Sequence, residues 1–133
     1  MAWLPNKKEI DAMLAADGKC RYEYFIHRVC DTREMWGLFD DGWAFLGDGA
    51  VKHVPLWPHE IFAARFTKEE WSTYTPRQIE LGKFLDQWIP RFRLKGMEVA
   101  IFPVGSGSSV VVGLDDLESN LRHELSTNYE EEG

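Results

Sequence analysis

The chain has 133 residues, 44% apolar and 14% aromatic, which suits one self-folding domain and excludes global disorder. Its formal charge of −7, from 22 acidic against 15 basic residues, repels phosphate backbones and argues against direct nucleic-acid binding. Lys7, Lys8, Glu9 and Asp11 interrupt the stretch where a signal peptide needs its apolar run, and no later segment approaches a membrane span, so a cytoplasmic protein without membrane insertion is expected.

Residues 5–15 predict a first helix, because Pro5 suits a first turn and Ile10, Met13 and Leu14 follow at helical spacing; Asp17-Gly18 should end it. From Lys19 onward, Tyr22, Phe25, Ile26, Val29 and Cys30 form one apolar stripe, with Glu23, His27 and Arg28 off it, which predicts a second, amphipathic helix. Cys20 and Cys30 form neither a CxxC pair nor a disulfide-dense pattern and read as reduced structural thiols, with an oxidised Cys20–Cys30 bridge left open only where local geometry allows it.

The period then changes. MWGLFDDGWAFLGDGAVKHVPLW is rich in aromatic and β-forming residues punctuated by Asp-Gly pairs, so Asp41-Gly42 and Asp48-Gly49 predict two turns of a three-strand antiparallel meander ending near Val51 to Leu56. Pro58 fits the first turn of a helix carrying Ile61, Phe62 and Phe66, and Thr75-Pro76 marks a break before another helix. That helix stripes Leu81, Phe84, Leu85, Trp88 and Phe92, with Pro90 bending or shortening its end.

EVAIFPV and SVVVGL bracket GSGSS and predict two more strands joined by a turn, the first at an edge or ending at Pro103. Asp115 and Asp116 open a last helix carrying Leu117, Leu121 and Leu125. The sum is a single α+β domain over residues 1–126, with a roughly five-stranded antiparallel sheet and four or five helices packed mainly on one face. A loose acidic tail is expected at 127–133.

Candidate chemistry is sparse. GSGSS lies between strands instead of opening a helix, and neither a P-loop, a dinucleotide fingerprint nor a nucleophile elbow surrounds Ser106, Ser108 or Ser109. His27, His53, His59 and His123 fall into no metal-ligand spacing. The pairs Asp40/Asp41 and Asp115/Asp116 have turn and helix-start explanations, and Glu69/Glu70 need not converge on a substrate. No catalytic residue, metal ligand or cofactor is therefore assigned. Trp36, Trp43, Trp57, Trp71 and Trp88 are more informative, since an indole N–H demands a partner when buried and several such rings could line a groove. Trp57, at a strand-to-helix corner, is expected to keep one ring face open.

Read in order, MWGLFDDGWAFLGDG, VPLWPHEIFA, IELGKFLDQWIPRFRLKG and EVAIFPV resemble a family of small bacterial proteins known as domain of unknown function 2750, over about Arg21 to Leu125. The resemblance implies a compact α+β domain and carries across no enzymatic activity or catalytic residue. The leading expectation is a non-enzymatic binding or protein-interaction module, with Trp43, His53, Trp57 and His59 as candidate partner-binding residues and the acidic surface as a second contact region. Two alternatives stay open. One is an immunity-type protein that neutralises a bacterial toxin. The other is a small hydrolase using a carboxylate and His53 or His59, which predicts an enclosed polar pocket between Trp43 and His59. A homodimer through an apolar edge strand near Pro103 is also compatible.

Overall fold

The computed structural model describes residues 4–46, 51–67, 71–104 and 110–128. α1 (Lys7–Ala15) starts where the Asn6 side chain accepts a hydrogen bond from the Glu9 amide at 2.8 Å, behind a side-chain cap and not at Pro5. α2 (Gly18–Thr32) repeats the device, the Asp17 carboxylate accepting from the Cys20 amide at 2.9 Å. Asp17-Gly18, expected to terminate one helix, thus starts the next. α2 buries Phe25, Ile26, Val29 and Cys30 as their spacing predicts, and ends on Arg33, whose φ of 64° turns the chain into β1 (Glu34–Phe39). The Asp41-Gly42 turn is present: φ is 55° at Asp41 and 147° at Gly42, and the Asp40 amide donates to the Gly42 carbonyl at 2.9 Å. The Asp48-Gly49 turn and the GSGSS connection lie outside the described residues.

β2 (His53–Leu56) leads into α3 (Glu60–Arg65), which begins two residues beyond Pro58 and is capped by His59, whose Nδ1 accepts from the Ile61 amide at 3.1 Å. Thr75-Pro76, expected as a break before a helix, instead opens β3 (Thr75–Glu80). α4 (Leu81–Lys83), a π-helical turn (Phe84–Trp88) and α5 (Ile89–Lys95) follow without interruption. The Ile89 amide reaches back five residues to the Phe84 carbonyl just before Pro90, whose ring opposes the carbonyl four residues back in a regular helix. Pro90, expected to bend or shorten the last turn, is instead accommodated by this π turn, and the helix runs on to Lys95. β4 (Glu98–Ile101), β5 (Val110–Val112) and α6 (Leu114–Asn128) complete the fold, and α6 buries Leu117, Leu121 and Leu125. Residues 129–133 of the expected tail lie outside the described residues.

The expected single five-stranded antiparallel sheet is corrected to two small sheets. β1 pairs antiparallel with β3, while the other sheet has the order β2-β4-β5, with β2 parallel to β4 and β4 antiparallel to β5. Trp43–Leu46, expected as the middle strand of a meander, contributes only isolated bridges, Phe39 to Trp43 and Leu46 to His53. One further bridge joins the sheets: Trp36 and Trp57 exchange backbone hydrogen bonds at 2.8 Å each. Pro55 explains the gap. Alternate strand residues point their amides to one side, so positions 53, 55 and 57 share the edge turned toward Leu46 and Trp36. His53 and Trp57 both bond there, but Pro55 between them has no N–H to donate. With no single sheet, the helices do not share one face: α2 packs on β1, β4 and β5, and α3 on β1 and β3.

The core centres on the two Pro-terminated strand ends. Parallel pairing sets Val54, Pro55 and Leu56 beside Val99, Ala100 and Ile101, all buried. Beyond them, the Phe102 amide donates to the Leu56 carbonyl at 2.8 Å and the Trp57 indole N–H to the Pro103 carbonyl at 2.9 Å. Phe102 holds a φ of 55°, and its carbonyl accepts from the buried Arg21 Nε at 3.2 Å. Arg21 Nη1 donates to the Ala16 carbonyl at 2.7 Å, so one guanidinium ties the start of α2 to the end of β4.

Candidate interaction surface

β1 carries Met35, Gly37 and Phe39 on one face of its ribbon with β3, opposite Ile79, Arg77 and Thr75. Gly37 leaves room for an aromatic ring: a Cβ there would lie 3.1 Å from Trp43 Cζ3 and 3.2 Å from Cε3. Trp43 occupies that space. It meets Phe39 edge-on at 5.3 Å between centroids and Trp88 at 4.8 Å, and Trp88 meets Phe92 at 5.5 Å. Arg77, exposed on the edge strand, places its guanidinium 3.8 Å from the Phe39 ring centroid and 6.0 Å from that of Trp43. Among the described residues Arg77 makes no ion pair.

Trp88 also lines an open cleft of about 560 Å³, together with Thr32, Arg33, Glu34, Gln78, Ile79, Glu80 and Lys83. Gln78 Nε2 donates to Glu34 across the two strands. Two cations, two carboxylates and an amide thus line this cleft, whose one aromatic wall is Trp88. Strand alternation sets Glu34, Gln78 and Glu80 on the ribbon face opposite Gly37, Phe39 and Arg77.

The four residues singled out from the sequence do not converge. Trp43 lies in the aromatic row. Trp57 is fully buried, with its indole satisfied, so the open ring face expected of it is absent. His53 sits at the start of β2, where Nε2 lies 3.3 Å from Glu98 Oε1. His59 caps α3 and stands 6.4 Å from the Trp36 ring. The clefts of the described surface include five of about 310–560 Å³, and neither Trp43 nor His59 lines any of these five. The Trp36 indole nitrogen is buried without a hydrogen-bond partner among the described residues.

Arg77 and the cleft residues Arg33 and Lys83 were not indicated by the sequence as a site, whereas Trp88 belonged to the tryptophan set expected to line a groove. A signal exists for Arg77 alone, since an Arg on a proline-marked edge strand must lie beside solvent, but β3 itself was hidden behind Thr75-Pro76. Among the described residues no helix is long and apolar enough to cross a membrane, and no group of three His, Cys, Asp or Glu could hold a metal ion. The profile of one family, "Protein of unknown function (DUF2750)", matches residues 22–121. No curated protein and no solved structure matches the chain.

Proposed function

Since the chain belongs to the DUF2750 family of proteins of unknown function, which supplies no chemistry, we propose from its surface that it is a non-enzymatic protein-interaction module of the bacterial cytoplasm. The contact face is the aromatic row of the β1–β3 ribbon, with Trp43 and Trp88 at its centre and Arg77 at its edge. One observation carries this reading: an exposed guanidinium lies 3.8 Å from the Phe39 ring without an ion-pair partner among the described residues, next to half-buried Trp rings. Trp, Tyr and Arg dominate the energetics of protein interfaces because they offer large, rigid contact area and several donors. Of the candidates from the sequence, Trp57 bonds the Trp36 backbone of β1 from within the core, and His53 meets Leu46 and Glu98.

The test is a native pull-down comparing the wild type with Arg77→Ala and Trp43→Ala, after circular dichroism has verified folding. Loss of a stoichiometric partner in both variants supports the reading; retention of every partner removes it. An immunity-type role is its narrower form, supported by the charge of −7, and requires the captured partner to be a toxin. The hydrolase reading is favoured by one observation, the His53–Glu98 contact at 3.3 Å. It requires ester or amide turnover that disappears in both His53→Ala and Glu98→Gln while the fold persists.

A further inference from the structure

β5 stands at the end of the β2-β4-β5 sheet order. β5 pairs with β4 through Val99–Val112, Ala100–Val111 and Ile101–Val110, and no backbone group among the described residues bonds to its other edge. An open groove of about 340 Å³ follows that strand, walled by Tyr22, Asp116 and Asn120. Tyr22 and Asn120, joined by a 2.6 Å hydrogen bond, also line a groove of about 420 Å³ that holds Glu23, Ile26 and Glu124 between α2 and α6. Val111 is 53% exposed on the strand itself.

Three properties coincide. An edge strand with unpaired N–H and C=O groups templates another strand. Val111 offers apolar contact. The β5 groove carries Asp116 and no Lys or Arg, and the α2–α6 groove that shares Tyr22 and Asn120 with it carries Glu23 and Glu124 against Lys19 and His123, with Glu124 3.4 Å from His27. We propose that this groove takes an extended, basic segment of a partner protein as an added strand beside β5. Backbone hydrogen bonds supply affinity, and Lys or Arg side chains facing the acidic walls supply selectivity. A second copy of this chain is the poorer occupant, because its charge of −7 would bring like charge to the same walls. The proposal uses no residue of the aromatic row and stands independently of it.

The probe is a synthetic peptide of alternating valine and lysine, with an alternating valine–glutamate peptide as control, titrated into the full chain and followed by amide chemical shifts. The expected result is saturable shifts at Val110–Gly113 and along Tyr22, Glu23 and Asn120, weakened by salt and absent with the control. Val111→Lys and Glu23→Lys, both at exposed positions, should each weaken binding about tenfold or more, the loss of one well-placed contact. Equal binding by both variants, shifts elsewhere, or no binding of the lysine peptide would overturn the proposal. So would a concentration-dependent dimer abolished by Val111→Lys, which assigns the edge to a second copy.

Discussion

Trp43 and Trp57 flank the same stretch of chain yet end in different surroundings. Trp57 follows β2 into the core, where the Pro103 carbonyl meets its indole N–H and Phe66 lies 5.3 Å away. Trp43 lies over Gly37 on the outer ribbon, half-buried, among Phe39, Trp88 and Arg77. The difference teaches that composition places a tryptophan in a region, but an acceptor from a distant strand decides whether it is sealed inside.

Breaking the inner member should cost most. Trp57→Ala removes a fully buried indole and leaves the Pro103 carbonyl unpaired, so a loss of about 3–5 kcal/mol is expected, read as a lower urea midpoint with an unchanged slope. A loss below about 1 kcal/mol would contradict the role assigned to this corner. Arg21→Met tests the same corner from α2: it keeps the buried stem and removes the bonds to the Phe102 and Ala16 carbonyls, and about 2–3 kcal/mol should be lost. Wild-type stability in that variant would show that the guanidinium does not tie α2 to β4.

The outer member is softer. Gly37→Ala places a methyl 3.1 Å from Trp43 Cζ3, and the ring must give by a few tenths of an ångström. About 1–2 kcal/mol and a shift of tryptophan emission are expected, because Trp43 is displaced toward water. Unchanged emission would mean that the ring does not rest on Gly37.

The smallest effect concerns pH. Burial pushes the Cys30 thiol up to about 12, while its Sγ donates to the Leu121 carbonyl at 3.6 Å. Above the ordinary thiol pKa the unfolded chain releases this proton and the folded chain keeps it, so stability falls as pH rises toward 12. Burial raises Tyr22 and Tyr24 as well, Tyr24 further through its bond to Glu9, which extends the loss in the same direction. Cys30→Ala should flatten the alkaline limb of a stability–pH curve measured in urea; an identical limb would place the loss elsewhere. In the native state a thiol reagent at neutral pH should modify exposed Cys20 and spare Cys30.

Much of the helical framework was legible. Tyr22, Phe25, Ile26, Val29 and Cys30 repeat at helical spacing, and that local period survives any tertiary context that offers a core. The Asp41-Gly42 turn was legible because positive φ is a local demand that few residues meet. β3 was not legible: in TPRQIE only Ile79 is buried, so no alternation marks the strand and Pro76 suggests a break. Arg21 was not legible either, since its acceptors are the carbonyls of Ala16 and Phe102, the second 81 residues away. For the candidate surface, the sequence pointed to Trp43, Trp88 and the other tryptophans of the cluster; Arg77 joined only through strand register.

What the sequence alone determined is therefore local: α+β composition, the apolar stripes of α2 and α6, the Asp-Gly turn, the acidic charge and family membership. Each depends on residues a few positions apart or on simple sums. Tertiary structure decided the rest. The parallel pairing of VPL with VAI, the burial of Trp57 and the division of five strands into two sheets all depend on partners distant in sequence. Pro55 illustrates the boundary between the two. Its missing N–H is written in the chain, but which edge of β2 that absence would interrupt was set only when β4 took the other edge.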